Sequence, residues 1–263
     1  MHHRPLLAAA AALLLPPASA ARAQSSAPTH SARALAVTLS PARPVRGRLF
    51  TVRVANVPDA GTLAATIAGE PLHFVGVAGA KAGTRGGGAT ALAAIPIDAP
   101  DTLPLTIVRA AAGGRADTTL LRVAVAPGNY KVERITVAPE FGREPDSALA
   151  ARIARENAQA REIGVRSHET PRLWRAPFTL PRPGRVTSGF GTARTFNGAV
   201  QSRHMGVDFA GKVGAPIRAA NRGVVALVAN FYLAGTAVYV DHGGGLVTGY
   251  FHMSKPLVAA GDT

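Results

Sequence analysis

From about Ala34 to Pro127 the chain repeats one pattern. Runs of five to eight residues rich in Val, Leu, Ile, Thr and Ala are separated by proline or glycine clusters. The runs are Leu35–Leu39, Leu49–Val54, Leu63–Ile67, Leu72–Val77, Thr90–Ile97, Leu103–Val108 and Thr118–Val125. Seven short β-prone runs at this spacing predict an immunoglobulin-like β-sandwich over 34–127, with Gly79–Gly88 as a glycine-rich loop. The pattern then changes. Tyr130–Val137 reads as extended and Pro139–Pro145 as a turn. Asp146 stands as the cap of a helix over Ser147–Ile163, Leu149 and Ile153 share one face, and Gly164 is the expected stop.

Strand-like runs return near Phe178. Val186–Phe190, Gly206–Ala210, Pro216–Ala219, Gly223–Ala229, Thr236–Val240 and Leu246–Phe251 are separated by turn chemistry at Asn221–Gly223 and His242–Gly245. Arg194–Arg203 reads as a long loop. Val224–Val228 is apolar at every position, which predicts cover on both faces of that strand. The expected fold class is therefore mainly β: the sandwich, a helical linker over 128–177, and a C-terminal antiparallel β domain over 178–263. Trp174 and Phe178 are placed to pack onto that last domain.

The first residues change the picture of where the protein works. Met1–Arg4 is a charged start, Leu6–Leu15 is apolar and Pro16–Ala20 supplies small residues for cleavage. Residues 1–23 are expected to be a secretory signal peptide, because an apolar run of about ten residues is too short to span a bilayer. No other stretch reads as a membrane span. The chain has no cysteine, which removes disulfides and thiolate metal ligands. A periplasmic or secreted product follows. The formal net charge of +14 suits anionic envelope polymers as partners; export and the lack of a nucleic-acid motif argue against nucleic acid.

Candidate chemistry centres on Ser202-Arg203-His204-Met205-Gly206-Val207-Asp208-Phe209. Imidazole and carboxylate are both ordinary zinc ligands. Positions four apart in an extended strand lie roughly 13 Å from each other, so His204 and Asp208 can share a metal only if the chain bends. Gly206 permits the bend, with His204 leaving a loop and Asp208 entering a strand. The alternation Val247–His252 predicts that His252 shares a strand face with Tyr250. His242, in a glycine turn, reads as structural. His73 in a strand-like run and His168-Glu169 in a polar connector carry no chemistry on this reading.

Six segments occur together: Ser188–Gly191, His204–Phe209, Gly214–Ala219, Gly223–Val225, Val240–Gly243 and Tyr250–Ser254. In this order and spacing, the block from Gly184 to Thr263 resembles the lysostaphin and LytM-type zinc endopeptidases, which cut peptide bonds of peptidoglycan. The resemblance implies that His204 and Asp208 are Zn2+ ligands and that His252 is a catalytic histidine. It implies peptidoglycan peptides as substrate. That family carries its third ligand in an H-x-H pair after the segment matching His252, and no such pair occurs up to Thr263. The expectation is therefore a C-terminally truncated, incomplete peptidase domain, inactive in this form. The alternative from another class is a non-catalytic LytM-like module that binds the cell wall and activates a separate hydrolase.

Overall fold

A computed structural model describes residues 35–77, 87–110, 112–136, 146–196 and 199–263. The expected signal peptide, the expected glycine-rich loop Gly79–Gly88 up to residue 86 and the turn at Pro139–Pro145 lie outside the described residues; Gly88 opens a strand. The protein is mainly β. Its first eight strands are β1 (Ala36–Ser40), β2 (Leu49–Ala55), β3 (Leu63–Ile67), β4 (Glu70–Leu72), β5 (Val75–Gly76), β6 (Gly88–Ala94), β7 (Thr102–Ala110) and β8 (Ala116–Ala124). They form two four-stranded antiparallel sheets, ordered β1-β2-β6-β5 and β4-β3-β7-β8. Alternate residues of each strand point inward. Phe50, Val52 and Val54 of β2 and Ala89, Ala91 and Ala93 of β6 face Leu63 and Ile67 of β3 and Leu105 and Ile107 of β7 in one core. The period-2 pattern of the sequence is thus the period of burial. The run Leu72–Val77 is split, with Leu72 closing β4 and Val75 opening β5; His73 lies in the break.

The linker holds β9 (Val132–Ile135) and helix α1 (Ser147–Ser167). Asp146 caps α1, its carboxylate accepting from the Leu149 amide at 2.8 Å. Gly164 does not stop the helix, which runs on to Ser167. The reason is packing. Ile163 and Ser167 are buried against the C-terminal sheet, and one exposed-helix glycine costs only about 1 kcal/mol. Tertiary contact outweighs that penalty.

The C-terminal region comprises β10 (Val186–Ser188), β11 (Ala193–Phe196), β12 (Ala199–Arg203), β13 (Asp208–Phe209), β14 (Val224–Phe231), β15 (Gly235–Asp241) and β16 (Val247–Tyr250). β14-β15-β16 is an antiparallel sheet around Val225, Val238 and Val240. β10 pairs with β13. The expected long loop Arg194–Arg203 is largely the hairpin β11–β12, and the linker strand β9 joins it in parallel. One expectation for β14 fails: Val225 is buried, but Val224 and Ala226–Val228 are half-buried, so neither face is fully covered. Phe178 does pack on this region, edge-on to His242 with ring centroids 4.9 Å apart, and Trp174 meets Phe178 at 5.5 Å. No helix among the described residues is long and apolar enough to cross a membrane.

Candidate metal centre

Four strands bring His204 and Asp208 together. The hairpin β11–β12 delivers His204 directly after its last residue, Arg203. The His204 backbone is then held on both sides: its amide donates to the Thr192 carbonyl at 2.9 Å, and its carbonyl accepts from Gly191 at 2.7 Å. Asp208 opens β13 opposite Ser188 of β10. The bend between them does not use the left-handed region at Gly206, which is absent from the positive-φ positions. Nor does the site need glycine for room, since a Cβ at 206 would meet His204 Nε2 at 3.6 Å, an ordinary van der Waals contact. His204 leaves a strand, not the loop expected from the sequence.

β10 sets the tautomer. The Gly189 carbonyl lies 3.1 Å from His204 Nδ1 and the Ser188 hydroxyl 3.2 Å from it. A carbonyl can only accept, so Nδ1 carries the proton and Nε2 presents its lone pair. That lone pair faces Asp208 Oδ1 at 3.2 Å. Two lone pairs at this distance repel unless a cation lies between them. A proton shared in a charge-assisted bond would draw them to about 2.7–2.9 Å. Two ligand atoms on one tetrahedral zinc, with bonds near 2.0–2.2 Å, stand roughly 3.4 Å apart. The observed 3.2 Å falls between the two, at the outer limit of an N–H···O hydrogen bond and just inside the spacing of two zinc ligands. The carboxylate is about half exposed and the imidazole largely covered, so a site here is open to solvent on the Asp208 side. Among the described residues no group of three His, Cys, Asp or Glu side chains is arranged to hold one metal ion; at this centre the structure joins two donors.

His252 is placed differently from the sequence expectation. β16 ends at Tyr250, so the alternation does not reach position 252 and the two side chains do not share a strand face. Phe251 folds over Gly249 and lies 5.4 Å from the Tyr239 ring. The chain then reverses: His252 has φ +56 and donates its amide to the Ala234 carbonyl at 2.9 Å. Its exposed ring lies beside Gly235 at the tip of the β14–β15 hairpin. A left-handed non-glycine residue costs roughly 1–2 kcal/mol, and such strain collects at functional positions. Among the described residues no hydrogen bond joins His252 to His204 or Asp208.

His242 is fully buried and uses both nitrogens. Nδ1 donates to the Arg222 carbonyl at 2.7 Å, so Nε2 accepts, 2.8 Å from the Thr248 hydroxyl. One proton direction satisfies the rest. Tyr250 donates to Thr248 at 3.0 Å and accepts the Ala220 amide at 2.6 Å. With no free lone pair, His242 is a structural post under the sheet. The sequence alone gives Ser188-Gly189 no task; the register of β10 on β13 gives it one. Behind β10 a cavity of about 290 Å³ is lined by Arg48, Lys131, Thr187, Gly189 and Phe190 among others.

Comparison with known proteins bears on this region. The family model described as Peptidase family M23 matches residues 202–263. Over 59 residues the chain is 41% identical to peptidoglycan DD-endopeptidase ShyA of Vibrio cholerae, covering 22% of this chain and 14% of that protein. Over 92 residues it is 41% identical to an uncharacterized metalloprotease of Haemophilus influenzae, covering 34% of this chain and 19% of the relative. The chain thus spans less than a fifth of either relative's length. A crystal structure from Pseudomonas aeruginosa, provisionally named peptidase M23, superposes with a TM-score of 0.58 at 26% identity, over 84% of this chain and 78% of that one.

Proposed function

We propose, from the premise that residues 202–263 belong to peptidase family M23, that the protein takes part in zinc-dependent hydrolysis of peptide bonds in peptidoglycan. The observation that carries this reading is the His204 Nε2–Asp208 Oδ1 pair at 3.2 Å with Nδ1 tied back to Gly189. His204 and Asp208 would hold the metal. Zinc bound there supplies a polarised carbonyl and a water acidified toward neutrality. His252 is assigned to move a proton or donate to the developing oxyanion, roles that suit an exposed imidazole. Ser188 and Gly189 keep the His204 ring in the metal-facing tautomer. The region over 178–263 is the peptidase domain on this reading, and the sandwich over 34–127 is an accessory domain. Export to the periplasm or beyond fits the substrate. Arg48 and Lys131, lining the cavity behind β10, are candidate contacts for anionic envelope polymers.

The test is release of soluble fragments from purified peptidoglycan by the protein, with and without a chelator. Cleavage lost on chelation, restored by zinc and absent in His204→Ala is the expected result for a form of the protein that supplies the third ligand; the chain with two donors is expected to show little or none. Full zinc-dependent cleavage by His204→Ala would refute the ligand assignment. One observation favours a second reading, a non-catalytic module that activates a separate cell-wall hydrolase: among the described residues two donors converge rather than three. Stimulation of a purified hydrolase by the chelated protein, with no cleavage of its own under zinc, would decide for the module.

A further inference from the structure

Two histidines outside the candidate centre meet where the sandwich touches the C-terminal sheet. Glu70 belongs to β4 and His73 follows that strand; His168 is the C-cap of α1, 95 residues further along. Glu70 Oε2 lies 3.0 Å from His168 Nε2, and His168 Nδ1 lies 2.9 Å from His73 Nε2. The glycine turn after β15 closes over this chain of contacts. Gly245, at φ +78, lies so close to the His168 ring that a Cβ there would overlap it. A Cβ at Gly244 would stand 3.7 Å from His73. The same turn is tied to α1 by its backbone, Gly245 donating to the Ser167 carbonyl at 3.0 Å and Gly244 to Thr170 at 2.8 Å. His168 therefore moves with the C-terminal sheet, while Glu70 and His73 move with the sandwich.

The geometry selects what sits between the imidazoles. The ring centroids are 5.2 Å apart with planes only 23° from parallel. With nitrogens 2.9 Å apart, that separation means the rings meet end to end, not face to face. Zinc–imidazole bonds of about 2.0–2.1 Å cannot fit in line across this gap, whereas an N–H···N hydrogen bond does. The Glu70 carboxylate accepts from His168 Nε2–H, so His168 Nδ1 presents a lone pair to His73 Nε2–H. One added proton can be held, on His168 Nδ1, if His73 shifts its own proton to Nδ1 and accepts through Nε2. A second added proton leaves two N–H groups pointing at each other.

We propose that Glu70–His168–His73 is a proton-operated latch between the sandwich and the C-terminal sheet: closed while the histidine pair holds at most one extra proton, released by the second. The charges facing it agree. Glu70 is the carboxylate in contact. The helix C-terminus at His168 favours one positive charge there. The turn contributes only glycine backbone. Asp241 is engaged by Ser167 and Thr170 and does not touch the rings, and Glu169 is exposed. Burial, then the neighbouring His168, lowers the His73 pKa below 6.5. A lowered imidazole pKa means that the folded contact favours the neutral ring. The contribution to stability is complete above about pH 6.5 and is lost as pH falls through the folded value.

The test is a double-mutant cycle on the full chain with His73→Gln and His168→Gln, measured by chemical unfolding at pH 8 and pH 5. The expected result is a favourable coupling between the two positions at pH 8 that disappears or changes sign at pH 5. Equal coupling at both pH values, or none at pH 8, would overturn the latch. Imidazole NMR titration of the unmutated protein gives a check that needs no variant. Linked titration of the two rings, with His73 protonating below 6.5, supports the proposal; independent single-site titration of both rings at ordinary values defeats it.

Discussion

At the residue scale the candidate centre depends on which nitrogen of His204 is bare. Gly189 decides that with a backbone carbonyl, so it survives most side-chain changes; Ser188 adds a second contact to the same nitrogen. Ser188→Ala is expected to weaken zinc binding by about 10-fold, the low end of what outer partners of a ligand contribute. Asp208→Ala removes a donor itself and should exceed the roughly 100-fold upper range for such outer partners. Titration calorimetry with zinc separates the two. If Ser188→Ala proved the more damaging, the assignment of Asp208 would be wrong. His242 illustrates the opposite case, a histidine whose value is entirely structural. His242→Ala strips partners from Arg222 and Thr248 and opens a cavity. We expect a loss of about 2–4 kcal/mol by chemical unfolding, with zinc affinity unchanged.

At the element scale α1 works as a strut. Its inward stripe runs through Leu149, Ile153, Glu156, Ala160, Ile163 and Ser167, spaced three and four apart. Along it Glu156 accepts the Tyr232 amide at 2.7 Å, near the β14–β15 hairpin tip. At the far end Asp241 of β15 accepts from Ser167, from Thr170 at 2.7 Å and from the Gly243 amide at 2.8 Å. A carboxylate with three donors is a concentrated fastening, since hydrogen bonds to charged groups contribute about 1.5–3 kcal/mol each. Asp241→Ala should cost about 4–5 kcal/mol, the low end for three such bonds, and expose the last turn of α1 to hydrogen exchange. The cap at the other end is worth less: Asp146→Ala should cost about 1 kcal/mol. Near-equal losses would show that α1 is not anchored at Asp241.

At the scale of the whole molecule, Tyr130 locks sandwich to C-terminal region. Its hydroxyl donates to the Arg46 carbonyl, and its ring fills a notch formed by Gly47, Gly128 and Gly191 and meets Phe190 edge-on at 5.9 Å. Gly191, at φ +82, leaves no room for a Cβ beside that ring. Tyr130→Ala should cost about 3–5 kcal/mol, as for other large aromatic truncations. It should also split urea unfolding into two transitions, because the regions would lose their shared plug. A single transition with a small shift would mean that the junction is held elsewhere, with the histidine latch as a remaining tie.

The strands of the sandwich were legible because burial there follows a local rule. Phe50, Val52 and Val54 alternate with exposed neighbours, and alternation is written in the sequence itself. The cap at Asp146 and the pairing of His204 with Asp208 were legible for a similar reason, since both involve residues three or four apart. What the sequence left undecided involves partners far away along the chain. Gly164 looked like a stop until Ile163 and Ser167 found the C-terminal sheet. Arg194–Arg203 looked like a loop because its short hairpin draws part of its pairing from β9, some sixty residues earlier. His252 left its alternation where the backbone turned to bond Ala234. His73 and His168 each looked inert alone, and only packing across 95 residues made them a pair. Local propensity and periodicity are properties of neighbours; register, tautomer and the meeting of distant side chains arise only when the tertiary fold brings them within hydrogen-bonding reach.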